Sequence, residues 1–139
     1  MLACSCSGNF FAQQFFEAVP LAINSASKEL APAFYKNGIV FCSDKKNEWF
    51  ITYTDLHDYP LTNLYLTEQK KSGKFENPQL FSKDITTRLF EGPATFSRDG
   101  TKVYFTRSID ASPGLRKQAR EDTTFGIFSA ERVNGVWTN

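Results

Sequence analysis

Glu91-Gly92-Pro93-Ala94-Thr95-Phe96-Ser97-Arg98-Asp99-Gly100-Thr101-Lys102-Val103-Tyr104-Phe105-Thr106-Arg107 is the stretch that decides the fold. Two runs of strand-like composition flank Ser97-Arg98-Asp99-Gly100, a turn in which Gly100 takes positive φ without a Cβ penalty. The first run, 92–96, predicts one strand. The second, 102–107, puts Val103 and Phe105 on one face and Tyr104 and Thr106 on the other, the two-residue period of a pleated strand. The stretch is therefore a β-hairpin.

The same pattern occurs once more upstream. Pro32-Ala33-Phe34-Tyr35-Lys36-Asn37-Gly38-Ile39-Val40-Phe41-Cys42-Ser43 repeats the Pro, the Phe, the Gly and the closing apolar triplet, with small insertions. Its turn, Lys36-Asn37-Gly38-Ile39, contains Asn-Gly, the favoured pair for a type I′ hairpin. Further on, Asn63-Leu64-Tyr65-Leu66-Thr67-Glu68 and Gly73-Lys74-Phe75-Glu76-Asn77 line up with Gly126-Ile127-Phe128-Ser129-Ala130-Glu131 and Gly135-Val136-Trp137-Thr138-Asn139. Leu64 and Ile127 are 63 positions apart and Phe75 and Trp137 are 62, so one supersecondary unit is repeated in tandem.

Each unit predicts four strands, the third at 64–68 or 126–131 and the fourth beginning at Phe75 or Trp137. Four antiparallel strands meandering through each repeat describe a β-propeller blade, an all-β architecture. The units are 21–83 and 84–139, after an N-terminal segment, 1–20. A common blade takes ~40 to 45 residues. The excess falls between strands two and three, in insertions 44–62 and 108–125, where partner binding is expected. Pro32, Phe34, Gly38, Phe41, Pro93, Phe96, Asp99, Gly100 and Phe105 are read as the turn and core residues of the repeat, and Trp137 as core. The 139 residues make only about 2.2 such units, whereas a ring closes with typically ~4 to 8 blades, so an incomplete ring with an exposed flank is expected.

Composition agrees with stacked β layers, since aromatic residues make up 15% of the chain and fit a half-buried pleated surface. Sixteen basic against fifteen acidic residues leave +1, which gives no electrostatic case for nucleic acid or an anionic membrane as the main partner. No apolar stretch approaches the ~20 residues that span a bilayer. At the N-terminus, Phe10, Phe11, Phe15 and Val19 fall on one helical face, with Asn9 as cap and Pro20 as stop, predicting a short helix over 8–19.

Little in the chain points to catalysis. Cys4, Cys6 and Cys42 are an odd set, and Cys-x-Cys spacing is too short for an easy bridge. Cys42, inside an apolar run, reads as a small buried hydrophobe. Met1-Leu2-Ala3-Cys4 places small residues before a cysteine, which makes Cys4 a candidate for lipid attachment, although the charged leader and apolar core of a signal peptide are missing. The only histidine, His57 in Asp55-Leu56-His57-Asp58, lacks the third or fourth ligand of a closed metal site, so no metal is expected. Neither a Gly-x-Ser-x-Gly elbow nor a phosphate-cradling glycine loop occurs, and no cofactor is expected. The carboxylate pairs Asp55 with Asp58 and Glu121 with Asp122 lie in loops. Arg116, Lys117 and Arg120 form the densest local charge, a candidate patch for peptidoglycan or an acidic protein surface.

From Glu91 to Arg107 the chain closely resembles the TolB-like, WD-like propeller repeat. More narrowly it resembles the version in OmpA-family outer-membrane lipoproteins of Bacteroidetes-type bacteria, including the peptidoglycan-associated component of type IX secretion. Ile23-Asn24-Ser25, Ala31 to Tyr35, Gly38 to Phe41 and Tyr59-Pro60-Leu61 are similar to the first blade of that group. The resemblance covers roughly 21–139 and departs at Phe90, where members often carry His. It implies a non-catalytic scaffold in the periplasm, associated with the outer membrane and binding envelope proteins. Peptidoglycan would be reached only through a C-terminal domain beyond residue 139, so no peptidoglycan-binding residue carries over. The rival expectations are the propeller of an envelope hydrolase, glycosidase or prolyl-peptidase-like, and a small-ligand-binding propeller.

Overall fold

A computed structural model describes residues 17–45, 60–109 and 124–138. They form eight strands: β1 (Glu29–Tyr35), β2 (Gly38–Ser43), β3 (Asn63–Glu68), β4 (Gln79–Leu80), β5 (Glu91–Phe96), β6 (Lys102–Ser108), β7 (Phe125–Val133) and β8 (Val136–Thr138). The strands build two four-stranded antiparallel sheets, β1-β2-β3-β4 and β5-β6-β7-β8, each a simple meander. Strands one to three of both units fall where the alternation places them. The helix expected over 8–19 lies mostly outside the described residues, and residues 17–20 are not helical.

Three local readings are corrected. The fourth strand of the first sheet starts at Gln79, because Thr67 Oγ1 donates to Glu76 O (2.7 Å) and Phe75 makes only a lone bridge with Gln69. The β1–β2 turn does not use Asn-Gly as its central pair. Tyr35 pairs with Gly38, and positive φ falls on Lys36 (51°), the first central position, as in a type II′ turn. Gly38 is a strand residue for a steric reason: a Cβ there would sit 2.2 Å from Thr67 O. The Asn-Gly turn with both residues at positive φ joins β7 to β8 instead, at Asn134 and Gly135.

The ladders align the two sheets pair by pair. Glu29–Ser43 corresponds to Glu91–Arg107, Phe34–Ile39 to Phe96–Val103, and Phe41–Tyr65 to Phe105–Phe128. In the last correspondence the rings stack alike, at 6.3 Å and 29° in one sheet and 6.1 Å and 28° in the other. We call the face that carries these residues the front and its reverse the back.

The back of the first sheet packs on the front of the second. Tyr35, Val40, Cys42 and Leu64 share one buried cluster with Val103, Phe105, Ala130 and Trp137, with Ile85 from the β4–β5 connection wedged among them. The Tyr35 ring meets Phe96 at 4.5 Å, Phe81 at 5.4 Å and Trp137 at 6.2 Å, and its hydroxyl accepts from Arg132 Nη1 at 3.2 Å. Close approach is possible because position 92 has no side chain, and β5 lies directly against β1, β2 and β3. A Cβ on Gly92 would fall 2.0 Å from Cys42 Sγ, and its φ of +99° suits glycine alone. Phe34, read as core, stands 88% exposed: it lies on the front of the first sheet, the face turned away from the second, where Phe41 and Tyr65 are buried but Phe34 is left uncovered.

Candidate functional site

Both insertions leave and return at one end of the sheets. Ser43 pairs with Asn63 across the first, and Ser108 with Phe125 across the second. Arg116, Lys117, Arg120, His57 and Cys4 lie outside the described residues, as do most positions of the insertions. Their feet are described in detail.

The foot of the first insertion is pinned three times. Lys28 N donates to Asp44 Oδ1 at 2.8 Å, Lys28 Nζ lies 3.6 Å from Asp44 Oδ2, and the Tyr65 hydroxyl donates to Lys45 O at 2.7 Å. Burial, followed by the nearby Asp44 carboxylate, raises the Tyr65 phenol above its ordinary pKa, so it remains a donor. On the return side Thr62 is stitched to the other sheet: Glu91 N donates to Thr62 O at 3.0 Å and Thr62 Oγ1 to Glu91 O at 3.2 Å. The foot of the second insertion is held by Ser108 N to Phe90 O, Phe90 N to Ser108 Oγ, and Ile109 N to Thr124 O.

Between the two feet sits a buried ion pair. Glu91 opens β5, Arg107 nearly closes β6, and the β5–β6 ladder sets them opposite one another. Glu91 is only 1% exposed. Its Oε1 accepts from Thr87 N (2.8 Å) and from Thr87 Oγ1, and lies 3.3 Å from Arg107 Nε. That last contact is an ion pair without hydrogen-bond alignment, and Glu91 Oε2 has no partner. Arg107 Nη2 donates to Ile85 O, and the guanidinium lies 4.9 Å from the Phe105 ring centre and 5.3 Å from that of Phe128. Burial pushes the Glu91 carboxyl above its ordinary pKa, outweighing the Thr87 hydrogen bond and the Arg107 charge that pull it down. A carboxylate so enclosed is out of reach of a dissolved substrate. What it can do is hold Thr87 and pair with Arg107, which in turn holds Ile85, while the Glu91 backbone ties down Thr62 at the foot of the first insertion.

The remaining motif residues fall on structural duty. Phe41 and Phe105 are buried, and Phe96 is half-buried beneath Tyr35. Pro32 and Pro93 stand in ladder irregularities at the same place in β1 and β5, between Leu30 and Ala33 and between Glu91 and Ala94. Asp99 and Gly100 form the β5–β6 turn, with Gly100 at φ 68°. Asp99 Oδ1 accepts from Ser97 Oγ (2.6 Å), Thr101 N and Thr101 Oγ1, and these bonds lower its carboxyl to about 2. Cys42 is buried and unpaired, and desolvation raises its thiol to about 11, as a small hydrophobe would have it. Among the described residues no group of three His, Cys, Asp or Glu is placed to hold a metal.

Glu91 and Arg107 were not singled out from the sequence, although a signal was present. Opposite charges at the two open ends of one hairpin are brought opposite each other by the pairing itself. Comparison with family models, curated proteins and solved structures returned no match.

Proposed function

We propose that the two sheets are blades of a TolB-like β-propeller and that the protein is a non-catalytic scaffold of the bacterial cell envelope, at the periplasmic face of the outer membrane. The blade reading is supported by the front-to-back stacking. In a propeller every unit keeps the same orientation around the ring, so the back of one blade meets the front of the next. A sandwich of two equivalent faces would put Phe41 and Phe105 in one core, and here they are on faces that never meet.

The observation that carries the scaffold role is the clamp between the insertion feet. Glu91 ties the return of the first insertion to the blade that launches the second, so both loops rise from one rigid base. Partners would dock on residues 44–62 and 108–125, with Arg116, Lys117 and Arg120 supplying charge for an acidic protein surface.

Site-specific photo-crosslinking in envelope fractions of the native host tests this reading. A crosslinker at position 57 or 117 should give a discrete protein adduct that one at Arg98, on the opposite hairpin turn, does not. Equal labelling from all three positions, or none from the insertions, would overturn it.

A further inference from the structure

The two outer faces of the stack are the halves of an interface that the molecule already contains. Inside, the back of the first sheet lies on the front of the second and leaves Leu64 only 4% exposed. The residue corresponding to Leu64 on the back of the second sheet is Ile127, which is 84% exposed. Phe96, on the inner front, is half-buried, and its counterpart on the outer front is the exposed Phe34. Tyr104, at 43%, likewise stands where the first sheet buries Val40. Large apolar side chains grouped on a sheet face mark a contact surface.

We propose that these faces meet between copies of this chain, head to tail, the back of the second sheet in one copy seated on the front of the first sheet in the next. The occupant is chosen by the fold, because the internal interface already joins a back to a front of this kind, although on the outer front the counterparts of Phe105 and Ala130, Phe41 and Thr67, are themselves buried. Phe41 and Tyr65 are already buried within the chain, so the junction centres on Phe34 and the half-buried Ile39 beside it. Such a contact joins two different surfaces, and it makes a ring when its rotation closes. The inference rests on the front-to-back stacking and not on the envelope role or the loops, so the crosslinking result and this one stand or fall separately.

Sedimentation of the full chain across micromolar concentrations, with Phe34→Asp and Ile127→Arg, is the test. Both side chains are solvent-exposed, and an unchanged near-UV circular dichroism spectrum checks that each variant folds. The wild type should form a small oligomer, and each variant alone should be a monomer, because every copy has lost the same half of the junction. Mixed together, the variants should form a 1:1 dimer that grows no further, joined through the Ile127 face of one and the Phe34 face of the other. Neither introduced charge lies in that junction. A monomeric wild type, an oligomer that survives either substitution, or a mixture that stays monomeric would overturn the proposal.

Discussion

Replacing Arg107 by Met should cost far more at neutral pH than in acid. The substitution keeps apolar bulk over Phe105 and Phe128 but leaves the Glu91 carboxylate buried without its counter-charge. Removing one partner of a buried pair costs ~3–5 kcal/mol. With the two side chains 10% and 2% exposed, little of that is relieved by solvent. For a domain of this size the loss corresponds to a Tm lower by about 10–15 °C. The sign of the pH dependence follows from the carboxyl. Its folded pKa is already raised by burial, so its contribution to stability is complete below the unfolded value of ~4.3 and is lost as pH rises through the folded value. Without Arg107 that folded value moves higher still. Urea unfolding followed by tryptophan fluorescence should therefore show a large deficit at pH 7 and a much smaller one at pH 4. The double variant Glu91→Leu with Arg107→Met should regain most of the loss, because an apolar pair in place of a buried ion pair is often neutral or stabilising. A deficit below about 1 kcal/mol at pH 7, or the same deficit at both pH values, would show that the guanidinium is not what keeps Glu91 tolerable.

Three further outcomes are expected. Gly92→Ala should destabilise by about 2–4 kcal/mol, combining overpacking against Cys42 with a disfavoured positive φ, and Cys42→Ala in the same chain should restore part of it; chemical denaturation measures both. Cys42 should resist iodoacetamide at pH 8 in the native protein and react fully in urea, which peptide mass mapping would show; native labelling at Cys42 would contradict its burial. The Asp99 carboxyl should titrate near 2 by carbon-detected NMR, so the stability it contributes to the β5–β6 turn is present above the ordinary carboxylate range and lost as pH falls towards 2. A midpoint close to 4 would mean that the Ser97 and Thr101 bonds do not form in solution.

Hairpins and repeats were legible because alternation is a local signal. Val103 and Phe105 against Tyr104 and Thr106 give β6 and both its faces, and the repeat spacing carries that reading to β2 and β3. What escaped depends on residues far away in the chain. Gly38 looks like a turn glycine until the Thr67 carbonyl is seen to occupy the space where its Cβ would go. Phe34 matches Phe96 in sequence and differs only in which sheet face has a neighbour. The fourth strand of the first sheet is two residues long, too short for any period to register. The clamp at the insertion feet was half legible. Glu91 and Arg107 are visible as charges in apolar strands, but their burial comes from Thr87, Ile85 and the opposing sheet.

Tyr35 sets a clock on the molecule. It ends the first of the described strands, yet its hydroxyl is bonded by Arg132, 97 residues later, and its ring is covered by Phe96 and Trp137. At synthesis rates of ~5–20 residues per second, that cover arrives about 5–20 s after Tyr35 itself. Contacts so distant in sequence also form slowly, since the chain must lose loop entropy before they reward it. The newborn first sheet therefore passes a window in which its back is bare. An early clustering of Tyr35 with Val40 and Leu64 would limit how much apolar surface that face offers to aggregation during the window.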